Sequence, residues 1–170
     1  LPLPVRSAPG FLVNAVVAPY MLEAMWAVDE GLSPETVDEA MLAFGMPMGP
    51  IELIDMVGLD VAMAAGRSLA GSSGEPPRCL QERFDAGRLG KKAGSGFYAY
   101  AAGRPVKGSA GPIPDGLAAR LVKPLLDRTQ QLVGDGIVAD ADLADAGVIF
   151  GTGFAPFTGG PLHYAGGQRV

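Results

Sequence analysis

Residues 14–50 read NAVVAPYMLEAMWAVDEGLSPETVDEAMLAFGMPMGP, and the punctuation of this stretch decides the fold. Its landmarks are Asn14, Pro19, Gly31, Phe44-Gly45 and Gly49-Pro50. They recur as Ala119, Pro124, Gly136, Phe150-Gly151 and Gly160-Pro161. The offset is 105 residues for the first three landmarks, 106 for the Phe-Gly pair and 111 for the Gly-Pro pair, so small insertions account for the drift. Solenoid units run roughly 20–50 residues, so a period this long reads as a duplicated helical module. Only the first copy keeps a polar side chain at the first landmark. Function is sought there, and the second copy is read as structural.

Working outward, Ser7-Ala8-Pro9 gives a plausible helix start, with Pro9 where its missing N–H costs nothing. Phe11, Val13, Val16, Val17, Met21, Met25 and Val28 carry that helix to about Glu30. Pro19 removes the bond to the carbonyl of Ala15 and kinks it. Ser33 and Pro34 open a second helix as N-cap and first residue, which Gly45 ends. A third runs from Ile51 to about Val57, with Asp60 capping a continuation toward Leu69. Residues 71–77 read as a loop, Arg78–Ala86 as a helix, and Phe97–Tyr100 as a short extended piece. Residues 101–116, rich in Gly and Pro, read as the connection between the copies. Helices at Leu117–Val133 and Leu143–Phe150 follow, then an irregular end.

The chain has 170 residues, 48% hydrophobic and 18% charged, enough for a packed interior. Its 25 glycines and 15 prolines are spread between apolar segments, which indicates many short connections. A net charge of −5 argues against a nucleic-acid partner. Cys79, the single cysteine, excludes an internal disulfide and fits a cytoplasmic protein. No apolar run approaches the roughly 18 residues that span a bilayer, so no membrane partner is expected. Leu1-Pro2-Leu3-Pro4-Val5 reads as the tail of a strand, as if the chain were cut from something longer.

Few residues carry chemistry. Asn14 shares a helical face with Val17, Ala18, Met21 and Met25. It reads either as a structural amide bonded to nearby backbone or as an amide aimed at a ligand. Arg88–Gly96 is the densest basic stretch; its order does not fit a P-loop, and a tight turn docking Phe97-Tyr98 is favoured over a phosphate site. Glu52 with Asp55, and Glu35 with Asp38 and Glu39, read as solvated faces. His163, the only histidine, reads as surface or cap, and Trp26 as core or interface. No Gly-x-Gly-x-x-Gly follows a strand, so no dinucleotide site is encoded, and no metal site is expected.

Three segments together resemble the C-terminal domain of L-3-hydroxyacyl-CoA dehydrogenases. They are Pro9-Gly10-Phe11-Leu12-Val13-Asn14, Phe44-Gly45-Met46-Pro47-Met48-Gly49-Pro50, and Gly90-Lys91-Lys92-Ala93-Gly94-Ser95-Gly96-Phe97-Tyr98. The run from Phe150 to Leu162 is similar to the end of the multifunctional fatty-acid-oxidation enzymes, which carry two such domains in tandem after a Rossmann domain. The resemblance implies an all-α, 6-phosphogluconate-dehydrogenase C-terminal-like helical domain, duplicated, with a degenerate second copy. The first copy would occupy residues 1–102, a linker 103–116, and the truncated second copy 117–170.

The resemblance further implies oxidation of the 3-hydroxyl of an acyl-CoA with NAD as hydride acceptor. The family's histidine, glutamate, serine and dinucleotide site lie in the Rossmann domain, and of its catalytic residues only the asparagine maps here, onto Asn14. Ala15 stands where the family usually has arginine. The implied partners are an acyl-CoA substrate, a Rossmann domain in cis or trans, and a second subunit in a homodimer, with apolar surface expected at Trp26, Phe97 and Met46–Met48. The chain alone is expected to be inactive, with no cofactor of its own. The competing readings are a non-catalytic helical dimerisation module and a CoA-thioester-binding protein without redox chemistry.

Overall fold

Eight helices and one small hairpin form in a computed structural model, which describes residues 3–69 and 75–167. The helices are α1 (Val13–Asp29), α2 (Pro34–Phe44), α3 (Pro50–Val57), α4 (Leu59–Leu69), α5 (Arg78–Asp85), α6 (Leu117–Gly134), α7 (Ala141–Thr152) and α8 (Pro161–Gly167). Strands β1 (Ala99–Ala101) and β2 (Arg104–Val106) pair antiparallel, with Ala99 opposite Val106. Their two-residue turn, Ala102-Gly103, has positive φ at both positions, the geometry that matches strand twist. The expected loop at 71–77 lies partly outside the described residues. No described helix is long and apolar enough to cross a membrane.

Three boundaries depart from the sequence reading, each for a local reason. Helix α1 starts at Val13 rather than Pro9, because Gly10 (φ +76) and Phe11 (φ +50) are left-handed and cannot continue a right-handed turn. Helix α7 is longer than expected: Asp140 caps it by accepting from Leu143 N at 2.8 Å, and Gly153 ends it. The end of the chain is not irregular through Gly167, since Pro161 opens α8 just as Pro50 opens α3.

The copies are the units α1–α2–α3 and α6–α7–α8. Helices α1 and α6, each carrying an internal proline, pack more extensively than any other pair. Arg120 near the start of α6 bonds Glu23 inside α1 and Glu30 at its end. The loops after α2 and α7 meet reciprocally. A Cβ added to Gly45 would lie 2.5 Å from the Phe157 ring, and one added to Gly153 would lie 2.5 Å from Pro47. Gly153 is therefore the structural counterpart of Gly45. Gly151, its match by spacing, lies inside α7, which is one residue longer than α2. Phe44, Phe154 and Tyr164 pack edge to face across the junction with centroids 5.3–6.4 Å apart.

One device recurs in both copies. Asp38 in α2 accepts from Ile51 N (2.8 Å) and Glu52 N (3.2 Å) at the start of α3. Asp145 in α7 accepts from Leu162 N (2.7 Å) and His163 N (3.0 Å) at the start of α8. Both aspartates are buried, and each pairs with a helix whose first N–H groups have no partner within the helix. The approach is close enough to forbid a side chain before the proline. A Cβ on Gly49 would lie 2.2 Å from Asp38 Cγ, and one on Gly160 would lie 2.4 Å from Asp145 Cβ.

Gly49→Ala and Gly160→Ala should each destabilise the chain by about 1–3 kcal/mol through overpacking. Gly134→Ala, in the last turn of α6 with open space around it, should instead stabilise by about 0.4–1 kcal/mol. Urea midpoints of the three variants check both signs at once.

Candidate functional site

Four carboxylates organise the first copy's surroundings, and sequence patterning misread two of them. Asp38 and Asp55 are 1% and 0% exposed, not parts of solvated faces. A buried carboxylate must be paired, and its partners come from far along the chain. Asp38 also accepts from Tyr98 Oη (2.7 Å) and Lys107 Nζ (3.0 Å), and Lys107 reaches Glu52 at 2.7 Å. Asp55 accepts from Phe97 N (2.8 Å) and Tyr98 N (2.9 Å). Asp29, at the end of α1, accepts from Arg78 N and Cys79 N at the start of α5. Cys79 is buried under that start, and burial together with Asp29 pushes its thiol up to about 12, so it is no nucleophile near neutrality.

The basic Gly-rich stretch is a docked turn. Gly90 and Gly96 sit so close to Asp55 that a Cβ on either would come within 2.3 Å of its oxygens. The N–H groups of Gly90, Ala93, Gly94 and Gly96 bond carbonyls of the same segment, and those of Phe97 and Tyr98 bond Asp55. Lys92 pairs with Asp60 at 2.6 Å. A phosphate cradle needs free N–H groups converging on one point, and these are already engaged. Arg83 lies over the Phe97 ring, 4.2 Å from its centroid.

Asn14 stands apart from this network. It is exposed in the first turn of α1, and among the described residues its side chain makes no hydrogen bond, which removes the observation a structural amide would need. Met21 and Met25, placed on its face by periodicity, are buried instead. Leu12, the N-cap of α1, offers no capping side chain, so the amide sits beside the positive end of the helix dipole. Its counterpart Ala119 is exposed on α6. Ala15 is 2% exposed, a methyl in the core where the resemblance would place an arginine. His163 is exposed, as expected, and only its backbone takes part in the cap on α8. Of the apolar surface expected, Phe97 and Met46 are buried and Trp26 is 38% exposed.

A family model described as 3-hydroxyacyl-CoA dehydrogenase, C-terminal domain, matches residues 10–100. The chain belongs to that family. The match takes in Asn14, Asp38, Asp55 and the docked turn. Fatty acid oxidation complex subunit alpha from Shewanella sp. strain MR-4 is 38% identical over 183 aligned residues, covering 96% of this chain and 26% of that protein. The Shewanella oneidensis protein of the same name is 37% identical, with 96% and 25% covered. The chain thus spans about a quarter of the length of these curated relatives. Among solved structures, 3-hydroxybutyryl-CoA dehydrogenase from Escherichia coli shares the fold over 98% of this chain and 54% of its own, with a TM-score of 0.77 at 21% identity. (S)-3-hydroxybutyryl-CoA dehydrogenase from Ralstonia eutropha is 39% identical over 57% of this chain and 36% of its own, with a TM-score of 0.52.

For this family member the described residues offer nothing that fits a dinucleotide. Their sheet is one hairpin, and no glycine fingerprint joins a strand to a helix start. No group of three or more His, Cys, Asp or Glu among them is placed to hold a metal ion.

The buried carboxylates set a pH dependence. Burial raises Asp38 and Asp55 above the usual aspartate range, more than their hydrogen bonds lower them. The native state then holds extra protons between the unfolded value, about 3.9, and the raised folded value. That share of stability is full below the unfolded value and is lost as pH rises through the folded one. Exposed Glu30 and Asp60 shift the other way, held down by Arg120 and Lys92. Their stabilisation disappears only in more acid solution. As pH rises from the unfolded value through the raised folded ones, urea midpoints should therefore fall, and Asp55→Asn should flatten part of that slope. Midpoints that climb over this range would refute the assignment.

Proposed function

We propose that this chain is the helical substrate-binding portion of an NAD-dependent L-3-hydroxyacyl-CoA dehydrogenase of fatty-acid β-oxidation, with Asn14 as its catalytic contribution. The observation that carries the reading is an exposed amide, free of hydrogen bonds within the described residues, at the positive end of α1 in a chain of this family. An amide so placed donates to the oxygen on C3 of an acyl-CoA and holds it in one orientation while charge shifts onto it. Base, hydride acceptor and dinucleotide crevice belong, on this reading, to a Rossmann domain supplied in cis or trans, so the 170 residues alone turn over no substrate.

The division into a first module through residue 102, a connection at 103–116 and a second copy from 117 belongs to the same proposal. So does a homodimer, supported by the exposed Leu22, Trp26, Met56, Val57 and Val61, and so does a cytoplasmic location. The relatives named for a fatty acid oxidation complex support the pathway.

The test is turnover by the chain assembled with a dinucleotide-binding domain of the family. Asn14→Ala should lower kcat by about a hundred- to a thousandfold, the usual effect of one lost oxyanion donor, with an unchanged far-ultraviolet spectrum and urea midpoint. Ala119→Asn should leave the rate alone. If Asn14→Ala costs stability while the folded fraction keeps full activity, the amide is structural after all.

A further inference from the structure

Asn14 has little local support. Helix α1 has no side-chain cap, and the Asn14 side chain bonds nothing among the described residues. The residues that lead into it lie along the second copy instead. Arg6 N donates to the carbonyl of Ile137 (2.9 Å), in the turn after α6. A Cβ added to Gly147 would come within 2.5 Å of Leu3 and 2.6 Å of Leu12. One added to Gly151 would come within 2.4 Å of Val13, the residue before Asn14. Gly147 and Gly151 are four residues apart on α7 and so share a face.

The first copy does not repeat this arrangement. Helix α2, which packs on α6 as α7 packs on α1, contains no glycine. Glycine weakens a helix relative to alanine, yet α7 carries two where it meets the start of α1. What they supply is close approach. Val13 is β-branched, with one strongly preferred rotamer in a helix, so its Cγ2 has no easy way to swing from an added methyl. The backbone of Val13 would have to move, and Asn14 would move with it. Helix α7 is itself braced: Asp140 caps its start, and Asp145 ties its middle to the start of α8.

We propose that the second copy positions the first copy's amide, with Gly151 as a positioning residue that acts through Val13 on Asn14. This rests on the reading of Asn14 as the group that meets the C3 oxygen. The second copy is then part of the catalytic apparatus without touching substrate, because it fixes where the first turn of α1 stands.

The test measures turnover per folded chain in the assembled enzyme. Gly151→Ala should lower kcat at least about tenfold at unchanged KM, since a misplacement of about 1 Å can cost a hundredfold. Adding Val13→Ala removes the opposing methyls and should restore most of the rate. Gly160→Ala strains the same copy away from Asn14 and should leave kcat unchanged, which separates placement from general loss of stability. In an Asn14→Ala background, Gly151→Ala should add almost nothing, the mark of two changes acting through one group. In nuclear magnetic resonance spectra of the 170-residue chain, the side-chain amide signal of Asn14 should shift in Gly151→Ala and return in the double variant. Four results would each overturn the proposal: full kcat in Gly151→Ala, a loss that Val13→Ala does not repair, an equal loss in Gly160→Ala, or the same proportional loss with and without Asn14. A failure of the Asn14 reading looks different: Asn14→Ala itself then keeps full turnover, while the amide signal still reports whether Gly151 sets its place.

Discussion

A carboxylate that receives two consecutive backbone N–H groups from a distant segment is the interaction on which this fold depends. It occurs at Asp29, Asp38, Asp55 and Asp145. Each pairing solves two problems that neither side solves alone. The starts of α3 and α5 have no local capping side chain, so their first N–H groups would go unbonded. Asp38, Asp55 and Asp145 are buried, and a buried carboxylate without donors is costly. At Asp29, Asp38 and Asp145 the helix dipole adds to the match, since each of these caps with negative charge the positive end it faces. Because both partners are fixed in direction, the pairing also sets the angle between elements, which apolar packing alone leaves loose.

The same device explains what the second copy keeps and lacks. Asp145 repeats Asp38, and α8 follows α7 as α3 follows α2. At the positions of Asp29 and Asp55, however, the second copy has Gly134 and Gly166. Those two aspartates hold α5 and the Phe97-Tyr98 segment in the first copy. Glycine carries no carboxylate, so neither pairing has a counterpart among the second copy's described residues.

Legibility in the sequence followed locality. Ser33, which accepts from Thr36 N within its own helix, and Gly45, which ends that helix, were readable because cap and helix adjoin. Most landmarks of the duplication were readable for the same reason, Gly151 excepted, since Gly153 ends α7 as Gly45 ends α2. Asp38 and Asp55 were misread because on a helical wheel each looks like one more acid beside Glu35, Glu39 or Glu52. Their partners lie 13 to 69 residues away. One signal could have found Asp38: it recurs as Asp145, each followed by Gly-Pro at the next helix start. Sequence periodicity also failed at Asn14, whose neighbours Met21 and Met25 turned inward. Helix α1 is covered by different elements along its length, so no single stripe describes it.

The start of α1 is the place where these rules are broken. It has no side-chain cap, a non-glycine residue in the left-handed region, an exposed aromatic ring and an exposed amide with no bond within the described chain. Its counterpart at the start of α6 is also uncapped, but there glycine and alanine remove both the strain and the polar group. Local conflict that persists in one copy and is relieved in the other marks a site under a demand other than stability. The three carboxylate clamps of the first copy make that tolerable. They hold the rest of the first copy rigidly enough for one helix end to remain strained, uncapped and open to a ligand.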